Sequence, residues 1–138
     1  MINQIYAGSN TSRRSPAVCY SGVTAGNPYL VGAEPAVAID TAANVANNTP
    51  TFCFGGTFAL TVTAKSSLSP STNLAINPGD KIYADGGTLD SASNMKYGFT
   101  LDANSGGTFF GHLDPTGPGI TAGQTVTANV LVGSTGGM

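Results

Sequence analysis

Apolar residues in this chain recur at every second position, and that spacing is the strongest constraint on its fold. In Thr57–Ala64, Phe58, Leu60 and Val62 alternate with Thr57, Thr61 and Thr63. In Thr125–Val132, the residues Val126, Ala128, Val130 and Val132 fall on one face. Tyr97, Phe99 and Leu101 make a third alternating set. Successive side chains of a strand point to opposite faces, so each run predicts a half-buried strand. Shorter strand candidates are Ala17–Tyr20, Tyr29–Val31, Ala36–Ile39, Thr51–Phe54, Lys81–Ala84 and Thr108–Leu113. They are rich in the Thr, Val, Phe and Tyr that suit a pleated surface.

Turn residues punctuate these runs. Asn77-Pro78-Gly79-Asp80 has Pro and Gly placed for a tight turn. Asp85-Gly86-Gly87 and Ser105-Gly106-Gly107 read as hairpin connections, where glycine supplies positive φ. Asp114–Gly119, with two prolines and two glycines, reads as a loop. With 19 Gly and 8 Pro in 138 residues, few stretches are left for a helix. The exception is Ala36–Asn48, where Asp40–Ala46 reads as one or two helical turns and, equally, as a loop with a short helix. The expected fold is all-β: a jelly-roll-like sandwich or barrel of about eight short antiparallel strands. Residues 1–16 read as an extended N-terminal arm, 17–132 as a single β-domain and 133–138 as a flexible, Gly-rich tail. A domain of this size buries roughly 70% of the surface its unfolded chain exposes, enough for a core without disulfides or metal.

Charge narrows the function. Charged residues make up 9% of the chain and the net charge is −2, against roughly 25% charged residues in an ordinary soluble domain. Disorder calls for low hydrophobicity and high net charge; this chain has neither. A membrane helix needs about 18 apolar residues in a row, and the apolar runs here are only a few residues long. Nucleic-acid affinity rests on clustered Lys and Arg; of the five basic residues only Arg13 and Arg14 are adjacent. The expected surface is Thr, Ser, Asn and Gly, which makes contacts by shape and neutral hydrogen bonds.

Catalytic chemistry lacks its usual parts. There is one histidine, His112, in a predicted strand, and no Gly-x-Ser-x-Gly elbow to present a serine beside it. No phosphate-binding or dinucleotide-binding glycine loop occurs. Asp80, Asp85, Asp90, Asp102 and Asp114 lie in or near predicted loops, at spacings that fit no Ca²⁺ loop; Asp also favours turns in its own right. The expectation is a non-enzymatic protein with no cofactor and no metal. No secretory signal is visible, so Cys19 and Cys53 are expected as reduced, buried thiols, with a disulfide left open by their spacing.

From Gly22 onward an ordered set of segments stands out. These are Ser21–Gly32 (SGVTAGNPYLVG), Pro35–Ile39 (PAVAI), Gly56–Val62 (GTFALTV), Ile76–Tyr83 (INPGDKIY), Tyr97-Gly98-Phe99 and the Val-rich Thr125–Val132. In order and spacing they resemble the capsid cement, or decoration, proteins of tailed bacteriophages. The arm 1–16 and the long connection Ala64–Ile76 depart from that pattern. The resemblance implies a structural protein on the outer surface of an icosahedral head, assembled in the host cytoplasm. Its partners would be the major capsid protein and further copies of itself, as a dimer or trimer at local symmetry axes. No catalytic residue comes with the family. An exposed arm is suited to adding a strand to a neighbour's sheet edge. Ile2, Ile5, Tyr6 and Tyr20 would be its anchors, and Arg13 and Arg14 would meet shell carboxylates, each exposed pair contributing about 0–1 kcal/mol. The competing reading is an adhesive or carbohydrate-binding β-sandwich on a virion, which would want a flat platform of exposed aromatics.

Overall fold

A computed structural model describes residues 4–6, 12–14, 20–42, 49–68 and 71–133. The fold is all-β. Its strands are β1 (Gln4–Tyr6), β2 (Ser12–Arg14), β3 (Pro28–Val31), β4 (Glu34–Ala38), β5 (Thr51–Cys53), β6 (Gly56–Thr63) and β7 (Lys65–Leu68). They continue with β8 (Ser71–Asn73), β9 (Lys81–Asp85), β10 (Thr88–Asp90), β11 (Met95–Tyr97), β12 (Thr100–Asp102), β13 (Thr108–Leu113) and β14 (Thr125–Val132).

The two clearest alternating runs pair with each other. β6 and β14 lie antiparallel from Thr63↔Thr125 to Gly56↔Val132. This register sets Val126 opposite Val62, Ala128 opposite Leu60 and Val130 opposite Phe58, so the apolar residues of both strands share one face. β14 then pairs with β13, β13 with β9, and β9 with β12, all antiparallel. β12 returns to β6 through a parallel contact, Leu101↔Val62, and closes a ring of five strands. Closure removes the exposed backbone edges that an open sheet would leave. Inside lie Phe58, Leu60, Val62, Ile82, Leu101, Phe110, Leu113, Val130 and Val132, all buried. Fully burying a side chain of this kind contributes about 1.5–3 kcal/mol.

A bulge in β13 makes this interior possible. Phe109 pairs with Tyr83 and Gly111 with Ile82, so Phe110 is one extra residue against β9. Strict alternation would place Phe110 and His112 on one face. With the extra residue, Phe110 and Leu113 both join the core, while Phe109 and His112 stay half-buried in edge-to-face contact, 5.3 Å between centroids.

The second sheet runs β10-β11-β3-β4-β5-β2. Leu30, Val37 and Cys53 from one of its faces join the barrel core. Tyr29, Ala36, Ala38, Phe52 and Met95 form a second cluster with Val23 and Ala42. The segment after Tyr20 covers that face: the Thr24 N–H donates to the Tyr29 hydroxyl at 2.8 Å, and the Ala42 N–H to the Val23 carbonyl at 3.0 Å. Apolar cover on both faces explains why β4 reads as an unbroken apolar run instead of alternating.

The structure corrects several details. The Tyr97–Leu101 run is two strands: the chain leaves the second sheet after Tyr97, turns at Gly98 (φ +70°) and enters the barrel at Thr100. Asp85-Gly86-Gly87 likewise carries the chain between sheets, from β9 to β10, and Ser105-Gly106-Gly107 links β12 to β13 across β9. Neither is a hairpin, because positive φ fixes a reversal but not the strand that follows as a pairing partner. The long connection after Ala64 holds a hairpin, β7–β8, with Lys65↔Asn73 and Leu68↔Ser71. Two pieces of the segment expected as an arm pair with the chain's own sheets: β1 with β6 (Gln4↔Phe58, Tyr6↔Thr57) and β2 with β5 (Arg13↔Phe52, Arg14↔Thr51). Of the strand candidate Ala17–Tyr20 only Tyr20 is described, and it is not in a strand; the helical turns beyond Ala42 and the tail beyond Gly133 lie outside the described residues.

Asn77–Asp80 is a turn. The Asp80 N–H donates to the Asn77 carbonyl at 3.0 Å with Gly79 at φ +86°, and the Asn77 N–H donates to Asp80 Oδ2 at 2.9 Å. Asp80→Ala removes only the second bond, at an exposed site. A loss of about 0.5–1 kcal/mol in urea unfolding is expected, and a loss above about 2 kcal/mol would show that the carboxylate does more than close the turn.

Candidate interaction surface

The same register that gathers the apolar face gathers its opposite. On the outside of β6 and β14, Thr57 lies opposite Leu131, Ala59 opposite Asn129, Thr61 opposite Thr127 and Thr63 opposite Thr125. None of these side chains is ionisable. Thr61, Thr125 and Thr127 are exposed, and the Thr63 and Thr125 hydroxyls are hydrogen-bonded at 2.9 Å. Threonine is stiff at χ1, so presenting its methyl and hydroxyl to a partner costs little rotamer freedom. A cleft of about 480 Å³ adjoins this face; Thr61, Thr63 and Thr127 line it together with Asn27, Pro28 and Phe99. Chemically the surface offers neutral donors, acceptors and methyl groups on a rigid pair of strands.

The residues expected to make contacts fall in separate places. Ile5 and Tyr6 are in β1, beside the start of β6. Arg13 and Arg14 are in β2, the outermost strand of the second sheet. Tyr20 stacks on Tyr97, with ring centroids 3.9 Å apart and planes 7° from parallel. It lies so close over Gly22 that a Cβ there would stand 2.5 Å from the ring. The hydrogen bond with Tyr97 raises the Tyr20 phenol above its ordinary pKa. Ile2 lies outside the described residues.

The aspartates divide by role. The Asp114 carboxylate accepts from the Thr116 N–H at 2.9 Å and the Thr116 hydroxyl at 2.7 Å, and these bonds hold it below the usual carboxylate range. Asp90 accepts from the Ser93 hydroxyl, and Asp80 closes the turn above. Asp102 is different: it ends β12 and is fully buried. Among the described residues no three of His, Cys, Asp and Glu gather closely enough to hold a metal ion, and no helix is long and apolar enough to cross a membrane.

His112 stands half-buried on the outside of β13, against Phe109 and opposite Leu131. Phe109 also meets Tyr83 edge to face at 6.3 Å. Cys53 is buried and its thiol donates to the Gly55 carbonyl at 3.1 Å; Cys19 lies outside the described residues. The threonines of this face are legible in the sequence one strand at a time, at the positions between the apolar ones. Comparison with protein-family models, with curated proteins and with solved structures finds no match for this chain.

Proposed function

We propose that this protein is a structural cement of an icosahedral phage head, binding the outer surface of the shell and bracing contacts between major capsid protein subunits. The observation that carries this reading is where the resembling segments fall in the fold. They coincide with the turn and strand β3, with β4, with β6, with the Asn77–Asp80 turn leading into β9, with the crossing from β11 to β12, and with β14. The resemblance therefore runs through the framework of the barrel and of the sheet packed on it.

The threonine face of β6 and β14 supports the same reading. A protein that binds a repeating shell works through many copies, so each contact need only be modest. A neutral, rigid face suits such contacts, and it offers little electrostatic steering. Association with the shell, and with further copies of this chain at its symmetry axes, then rests on shape and neutral hydrogen bonds.

The test is to add the purified protein to expanded heads that lack it. The temperature at which the heads rupture is expected to rise. Thr127→Lys places a charge on the face at an exposed position, where folding stability changes by less than about 0.5 kcal/mol. It is expected to weaken head binding about tenfold, equivalent to about 1.4 kcal/mol. Heads that rupture at an unchanged temperature would refute the cement reading. Full binding by Thr127→Lys would move the contact to another face.

A further inference from the structure

We propose that Asp85 and Asp102 form a proton-operated latch in the barrel wall, which holds β12 in place while the two carboxyls share a proton and loosens the seam between β12 and β6 when that proton leaves.

The geometry of the pair carries this inference. β9 and β12 pair with Asp85 opposite Thr100 and Asp102 opposite Tyr83. The two aspartates thus stand on the same face, diagonally across the ladder, and their carboxyls come close enough to hydrogen-bond. Asn104 ties them together. Its backbone N–H donates to Asp102 Oδ1 at 2.9 Å, and its side-chain amide donates to Asp85 Oδ2 at 2.9 Å. The Asn104 Oδ1 is held in turn by the Gly106 N–H at 3.0 Å. Asp102 Oδ2 is buried and meets no donor among the described residues. An ionised carboxylate only accepts, so a single proton between Asp102 and Asp85 is what satisfies that oxygen.

The surroundings favour the protonated form. On β9 the facing groups are Asp85 and the cross-strand neighbour Tyr83; on β7 it is Lys65; Gly56–Thr63 of β6 contains no ionisable residue. Burial, reinforced by the Asp85 carboxyl, outweighs the Asn104 N–H and the Lys65 ammonium and pushes the Asp102 pKa up to about 6. This is above the ordinary 3.8, so the folded protein binds a proton that the unfolded chain releases. The stabilisation is therefore complete below the ordinary value and is lost as pH rises through about 6.

The latch sits where the barrel is most lightly closed. β12 has three residues and meets β6 through the one pair Leu101↔Val62. Beyond it, the Ala103 N–H donates to the Lys65 carbonyl at 2.9 Å and brings β7 alongside. Leu101, next to Asp102, is a buried core residue, so loss of the proton acts directly on the segment that shuts the ring. This inference does not depend on shell binding.

The experiment is a carboxyl-carbon NMR titration of the whole protein together with amide hydrogen exchange, corrected for the intrinsic pH dependence. One aspartate is expected to titrate with a midpoint near 6. Protection at Leu101 and Ala103 is expected to fall about tenfold as pH rises across that midpoint. In Asp102→Asn the side-chain amide donates permanently to Asp85, and protection at neutral pH should match that of the wild type in acid. If that variant does not fold, Asp85→Asn serves instead: it supplies the donor from the other side and should lower the Asp102 midpoint. An Asp102 midpoint near the ordinary 3.8, or protection at Leu101 and Ala103 that ignores pH, would overturn the proposal.

Discussion

Phe110→Ala is expected to remove about 3–5 kcal/mol of folding stability, the usual cost of deleting a large buried aromatic. Phe110 is fully buried in the barrel core, with its ring centroid 5.8 Å from that of Phe99. It is also the extra residue of the β13 bulge, so its ring fills the space created by breaking alternation. A domain has about 5–15 kcal/mol of net stability, so this single change is expected to leave the protein marginal at room temperature. The neighbouring ring provides the control. Phe109 is half-buried outside the barrel, against Tyr83 and His112, and Phe109→Ala should cost about 1 kcal/mol. Guanidinium unfolding of both variants checks the pair, and equal losses would mean that the bulge does not separate the two rings.

Gly111→Ala is expected to cost about 3 kcal/mol, the upper end of the usual range for overpacking. A Cβ at Gly111 would collide with the Leu131 carbonyl oxygen and stand 3.2 Å from the Val132 Cα. Both obstacles are backbone of β14, which is held along its length by β6. Relief therefore means pulling β13 away from β14 and giving up pairs such as Gly111↔Val132 and His112↔Leu131. Gly98→Ala separates this clash from ordinary glycine strain. Gly98 has φ +70° but none of the described residues comes within 4 Å of its would-be Cβ, so only the left-handed backbone is penalised, by about 1 kcal/mol. Thermal unfolding of the two variants should rank Gly111→Ala as much the worse. The opposite order would place β13 and β14 farther apart than described.

These residues also show what could be read before the fold was known. Val126–Val132 and Phe58–Val62 were legible as strands because each has one buried and one solvated face, which is what alternation records. Their partnership was not, since nothing local to Thr57–Ala64 names Thr125–Val132 as its neighbour sixty residues on. The bulge was hidden for a related reason: Phe109 and Phe110 are equally apolar, and only the approach of β9 and β14 decides which turns inward. β7, β8 and β10 have little apolar pattern; Lys65–Asn73 is mostly Ser, Thr and Lys, and Leu89 of β10 is exposed. The candidate surface followed the same rule. The threonines of each strand were visible singly, and only the β6–β14 register sets them side by side. Asp102 read as a loop aspartate because burial is a property of what surrounds it, Leu101 and β9, and not of its own segment.

The most direct measurement of the central claim is the mass of purified, expanded heads before and after incubation with this protein. Heads carrying a fixed number of copies per capsomer, with occupancy little changed between low and high salt, are the expected result for a neutral contact. Heads that gain no mass at saturating protein would contradict it.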